Sequence, residues 1–66
     1  MGRKLDVDLL VGAAEIAKRL GLTEQRTVHA WTRRHKEFPL PVVMLERAMI
    51  WYWPEVEAWA KQTGRI

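Results

Sequence analysis

The sequence predicts a mainly α domain with a small β-hairpin: three helices plus a two-stranded wing. Three observations predict it. Apolar residues recur at helical spacing from Ala13 to Leu20, and a second helical stretch follows one glycine-centred turn. Two short β-branched and aromatic runs then lie between a proline-rich break and a third helix that opens on proline. Ala13, Ile16, Ala17 and Leu20 sit at i, i+3, i+4 and i+7, on one stripe of the first helix. Gly12 serves as its N-cap, with Glu15 as half of a capping box. Gly21 supplies the left-handed residue at which that helix ends. Thr23 is the expected cap of the second helix, with Glu24 in its first turn at the positive end of the dipole. Two helices joined by about three residues around a glycine make a helix-turn-helix unit.

The second helix, read as residues 24–35, carries the functional signal. Val28 and Trp31 are the large apolar residues between Thr23 and His35, so they face inward. At 100° per residue Arg26, His29, Ala30 and Arg33 then point outward, with Arg34 and Thr27 on one flank. That outer face is short, positively charged and low in bulk at Ala30. Such a helix can enter a DNA major groove, where arginine reads guanine edges or grips phosphate.

The rest of the chain divides by its breakers. Residues 1–8 are polar and read as a flexible arm ahead of one DNA-binding domain over 9–66. Leu9, Leu10 and Val11 form either a short strand or an extended lead-in. Phe38-Pro39-Leu40-Pro41 cannot continue a helix, and Phe38 and Leu40 are the expected anchors of that crossing. Val42–Leu45 and Met49–Tyr52 read as a hairpin with a charged tip of about three residues, Glu46-Arg47-Ala48. Met49, Trp51 and Trp53 share one face of its second strand and are expected over the core. Pro54 opens the third helix at its first position, Val56, Trp59 and Ala60 make the buried stripe, Glu57 and Lys61 pair at i, i+4, and Gly64 closes it.

Composition narrows the function classes. Sixty-six residues make one small domain, whose four tryptophans offset the meagre core of a short chain. There is no cysteine, hence neither disulfide framework nor thiolate metal site. No apolar run approaches the about 18 residues of a membrane span, and the N-terminus lacks a signal-peptide apolar segment. Asp6 stands where a myristoylation motif needs Ser or Thr. A cytoplasmic protein associated with the bacterial or phage nucleoid is expected. Catalysis is not: Ser, Cys and Asn are absent, and neither His29 nor His35 has a carboxylate spaced to orient it. The two histidines do not share a helix face, so no metal or other cofactor is expected.

Charge placement says more than the net +3. Lys18, Arg19, Arg26, Arg33, Arg34 and Lys36 face Glu24 alone within residues 18–36, whereas the segments on either side are each slightly acidic. The excess therefore sits on the two helices and the loop after them. A stripe of this kind is the electrostatic footprint of a polyanion partner.

The order VGAAEIAKRLGL, the VxxW of the second helix, FPLPV and IWYWPEVEAWA resembles the MerR-like winged helix-turn-helix domains, nearest to stand-alone excisionase and AlpA-type regulators of phages and integrative elements, over about residues 9–63. The resemblance implies a recognition helix in the major groove and a wing, at 45–48, on the phosphate backbone or minor groove. By position it assigns base contacts to Arg26, His29, Ala30 and Arg33 and the wing contact to Arg47. Thr23, Gln25, Thr27, Arg34 and Lys36 complete the expected DNA-facing set. It further implies an excisionase-like recombination directionality factor or a small transcriptional regulator that binds double-stranded DNA, associates with itself as a dimer or cooperative array, and works beside an integrase. Two departures stand out. One residue more than usual separates Gly21 from Val28, and Ala48-Met49 replaces the frequent Gly-Arg pair, leaving Arg47 as the wing's cation. An adaptor that docks its basic helix on an acidic protein, with exposed aromatics in the contact, is the alternative from another class.

Overall fold

The computed structural model describes residues 6–66. After a short 3-10 turn at Val7–Leu9 come β1 (Leu10–Gly12), α1 (Ala13–Arg19), α2 (Arg26–Arg34), β2 (Val43–Leu45), β3 (Ala48–Tyr52) and α3 (Trp53–Gln62). The architecture is a winged helix-turn-helix: three helices with a small antiparallel sheet of order β1-β3-β2. The sheet has one strand more than the expected two. The Leu9–Val11 segment resolves as a strand shifted by one residue, pairing Leu10 with Tyr52, Val11 with Trp51 and Gly12 with Ile50. β3 offers two hydrogen-bonding edges and the hairpin uses only one, so the incoming chain takes the other.

The arm read over 1–8 falls partly on residues 1–5, which lie outside the described residues. Its remainder is structured: the Asp6 side chain accepts from the Asp8 N–H at 3.0 Å and the Asp6 carbonyl from the Leu9 N–H at 2.9 Å.

α1 forms as its spacing predicts. Ile16 and Ala17 are buried, and Glu15 Oε1 accepts from the Gly12 N–H at 3.3 Å. Gly21 takes φ +71°, the Leu22 N–H returns to the Ala17 carbonyl at 2.8 Å and the Gly21 N–H to that of Lys18 at 3.3 Å. This Schellman ending recurs at the far end of α3, with Gly64 at φ +77°, Arg65 bonded to Ala60 at 2.8 Å and Gly64 to Lys61 at 3.2 Å.

α2 begins later than expected. Thr23 makes no capping hydrogen bond; Gln25 is the N-cap and Glu24 precedes the helix instead of entering its first turn. The Thr27 and Val28 N–H groups reach back only three residues, to the carbonyls of Glu24 (3.3 Å) and Gln25 (3.0 Å). The physical reason lies upstream. The Schellman turn runs through Leu22, whose side chain packs on the core, so the extra residue is absorbed in the turn.

Val11, Ile16, Val28, Trp51 and Val56 are fully enclosed, joined by Ala17, Phe38, Trp59 and Ala60. The expected stripe of α3 is thus buried, although that helix starts at Trp53 with Pro54 in its second position. Phe38 anchors the proline-rich crossing, edge-on to Trp59 with centroids 4.8 Å apart. Leu40 does not: it is 83% exposed. The second anchor is backbone, since Trp51 Nε1–H donates to the Pro39 carbonyl at 3.0 Å. Such a partner offsets the cost of burying an indole N–H, and the Pro39 carbonyl lies outside any strand, whereas the Trp59 Nε1–H is buried without a hydrogen-bond partner among the described residues. The hairpin tip is tighter than expected, with Leu45 opposite Ala48 and only Glu46 and Arg47 between them.

Candidate nucleic-acid interface

The back of α2 is fixed by rings. Trp31 packs 5.1 Å from Trp59 and 6.0 Å from Phe38, and His35 meets Trp59 edge-on at 5.7 Å. The Arg65 guanidinium lies over both indoles, 5.0 Å from Trp31 and 4.5 Å from Trp59. Cation–π contact of this kind holds a charge on an apolar surface instead of leaving it for a partner. Arg19 is engaged likewise, 4.9 Å over Trp53.

The front of α2 presents its cations unequally. Arg33 and Arg34 are exposed, as is Lys36 beyond the helix end, and none of them makes an ion pair among the described residues. Arg26 is also exposed, but Glu24 holds it through two hydrogen bonds, Nε to Oε1 at 2.6 Å and Nη2 to Oε2 at 3.3 Å. That contact raises the Arg26 pKa above its usual value. It also cancels the local charge. Lys18 and Arg47 are exposed and without an ion pair among the described residues.

His29 does not point outward with Arg26 and Arg33. It is half-buried, its ring 6.3 Å from that of Trp51, on the flank of α2 turned toward the hairpin. Ala30 and Thr27 are also half-buried, while Thr23 and Gln25 are exposed before the helix proper. The fold therefore splits the expected residues into two groups. Arg26, Arg33 and Arg34 occupy the outer surface of α2, with Lys36 just past its end; Gln25, His29 and Arg47 converge on a cleft of about 240 Å³ between α2 and the hairpin.

That cleft has a wall the sequence did not suggest: Gly12, Ala13 and Ala14, at the start of α1. The pairing of Gly12 with Ile50 brings them beside the hairpin, and no local pattern encodes a contact between segments so distant in sequence. An adjoining cleft of about 460 Å³ shares His29 and Arg47 and is walled by Met44, Leu45 and Met49. Among the described residues no group of three or more His, Cys, Asp or Glu could hold a metal ion, and no helix is long and apolar enough to cross a membrane.

A tri-helical domain with a cationic second helix and a short wing defines a small winged helix-turn-helix module. Residues 12–49 match the family described as "Putative ATPase subunit of terminase (gpP-like)", and since that is more than half of the chain, the protein belongs to this family. The match runs from the N-cap of α1 through α2 to the start of β3 and leaves out α3. No curated protein and no solved structure matches the chain.

Proposed function

We propose that this chain is a phage-type module that binds double-stranded DNA sequence-specifically, with α2 in the major groove and the Glu46-Arg47 tip on the backbone or minor groove. The observation that carries the reading is the exposure of Arg33, Arg34 and Lys36 without acidic partners among the described residues, on and beside a helix braced from behind by Trp31, Trp59 and Phe38. A rigid, unpaired cationic surface suits a polyanion whose charges are fixed in space. Membership of a terminase family favours phage DNA as that polyanion.

The module acts without catalysis of its own. Although the family is described by an ATPase subunit, none of the four glycines in these 66 residues is followed by lysine, so no P-loop run is present. What remains for these residues is recognition. An excisionase-like factor, a small transcriptional regulator and the DNA-recognition part of a terminase share this physics, with copies side by side on adjacent sites supplying the affinity that one small module lacks. A partner integrase belongs to the first of these roles alone, and a cytoplasmic, nucleoid-associated location follows from all three. The DNA reading is preferred to the adaptor alternative because Trp51, Trp59 and Phe38 are buried and the other aromatics only half-exposed, which reduces the aromatic contact an adaptor would use.

The test is fluorescence anisotropy with duplexes selected from a random pool. Wild-type protein is expected to retain a duplex that Arg33→Glu does not, with both equally folded by circular dichroism. Equal retention by the two proteins would overturn the reading.

A further inference from the structure

The cleft between α2 and the hairpin is lined by three side chains able to donate hydrogen bonds, Gln25, His29 and Arg47, and by no carboxylate. Its remaining walls are small or apolar, including Gly12, Ala13 and Ala48, so they neither compete for a ligand's oxygens nor crowd it. A water molecule occupies about 30 Å³ of liquid, and a space of about 240 Å³ thus accepts a tetrahedral oxyanion with some of its hydration. Arg47 reaches the cleft without an ion pair among the described residues, and the His29 ring is held in place against Trp51.

We propose that this cleft seats one phosphate group, gripped by Gln25, His29 and Arg47, and that the phosphate belongs to the backbone of the bound duplex. The inference rests on the DNA-binding reading above and changes one assignment within it: His29 positions the backbone and does not read bases. Arg47 gives a planar, charged fork suited to phosphate oxygens, while Gln25 at the N-cap of α2 and His29 within it add donors. Gripping one phosphate from both α2 and the hairpin would lock the wing's height relative to the recognition helix. Phosphate contacts set register and carry no sequence information, whereas the exposed Arg33 remains able to meet base edges.

The experiment compares Arg47→Gln and His29→Ala with wild type against a panel of duplexes that differ at single base pairs. Both variants are expected to bind every duplex about tenfold more weakly and in unchanged order of preference. Arg47→Gln should also lower the salt-dependence slope by about 0.9, the contribution of one phosphate. Arg47 is exposed at a turn, so its variant keeps the test decisive should His29→Ala unfold. A changed order of preference for His29→Ala would make it a base reader and overturn the proposal, as would wild-type affinity in Arg47→Gln. A neutral methylphosphonate scanned along the duplex identifies the source. One linkage whose neutralisation weakens wild type but not Arg47→Gln supports a backbone phosphate; the absence of such a linkage, with the His29 ring resonances shifted by inorganic phosphate alone, overturns the duplex as the source. If Arg33→Glu binds like wild type, DNA recognition itself fails; if it loses binding while Arg47→Gln does not, only the cleft fails.

Discussion

α2 and α3 are similar in length and opposite in use. α3 gives Val56, Trp59 and Ala60 to the core and keeps Glu55 in its first turn. α2 gives the core one fully buried side chain, Val28, and ends on Arg33 and Arg34. The difference teaches how a 66-residue chain presents a rigid helix outward. α2 is held less by its own burial than by rings lent from α3 and from the crossing before β2, with Trp31 packed against both Trp59 and Phe38. Stability and surface chemistry are thereby assigned to different helices.

That division can be broken most forcefully from the α3 side. Trp59→Ala removes a 3% exposed indole that touches Trp31, His35 and Phe38, and should cost about 3–5 kcal/mol, most of the stability available to so small a domain. Circular dichroism melts should show the folded baseline lost or nearly so. On the α2 side the expected result is reversed. Arg33→Glu should leave the melting temperature within a few degrees while weakening duplex binding about 10- to 100-fold, read by anisotropy.

The two glycine endings sharpen the contrast, because they are conformational twins. An added Cβ would meet nothing within 4 Å at either Gly21 or Gly64, so alanine there is opposed by the left-handed backbone alone. Each substitution should cost about 1–2 kcal/mol. Their effects on binding should differ: Gly21→Ala disturbs the turn that aims α2 and should weaken DNA binding beyond its cost in stability, whereas Gly64→Ala should bind normally while folded. The smallest expected effect is at Glu24. Glu24→Gln releases Arg26 and removes a carboxylate from the presented surface, so binding should tighten a few-fold with a salt slope steeper by up to about 0.9. Unchanged affinity would place Arg26 outside the contact.

Most of the fold was legible because it rests on local spacing. The stripes of α1 and α3, both glycine endings, and the inward Val28 and Trp51 follow from periods of 3.6 and 2 and from the freedom of glycine at positive φ. What was not legible depends on contacts between distant segments. β1 exists because β3 has a second edge, and Leu40 is displaced as an anchor by the Pro39 carbonyl, which Trp51 claims across the core. The candidate interface divides in the same way. The exposure of Arg33, Arg34 and Lys36 follows from helical phase and the loop beyond it. The capture of Arg26 by Glu24 follows from a turn two residues longer than read, and the half-burial of His29 from a hairpin whose position no spacing in α2 could foretell.

The claim on which all of this depends is that unpaired cations on and around α2 meet phosphates. It is tested most directly by the affinity of wild-type protein for its selected duplex across a series of salt concentrations. Lys18, Arg33, Arg34, Lys36 and Arg47 are the exposed cations free of ion pairs and ring contacts among the described residues, and roughly four to six neutralised phosphates at about 0.9 each predict a steep fall of log K with log salt. A flat response would contradict it.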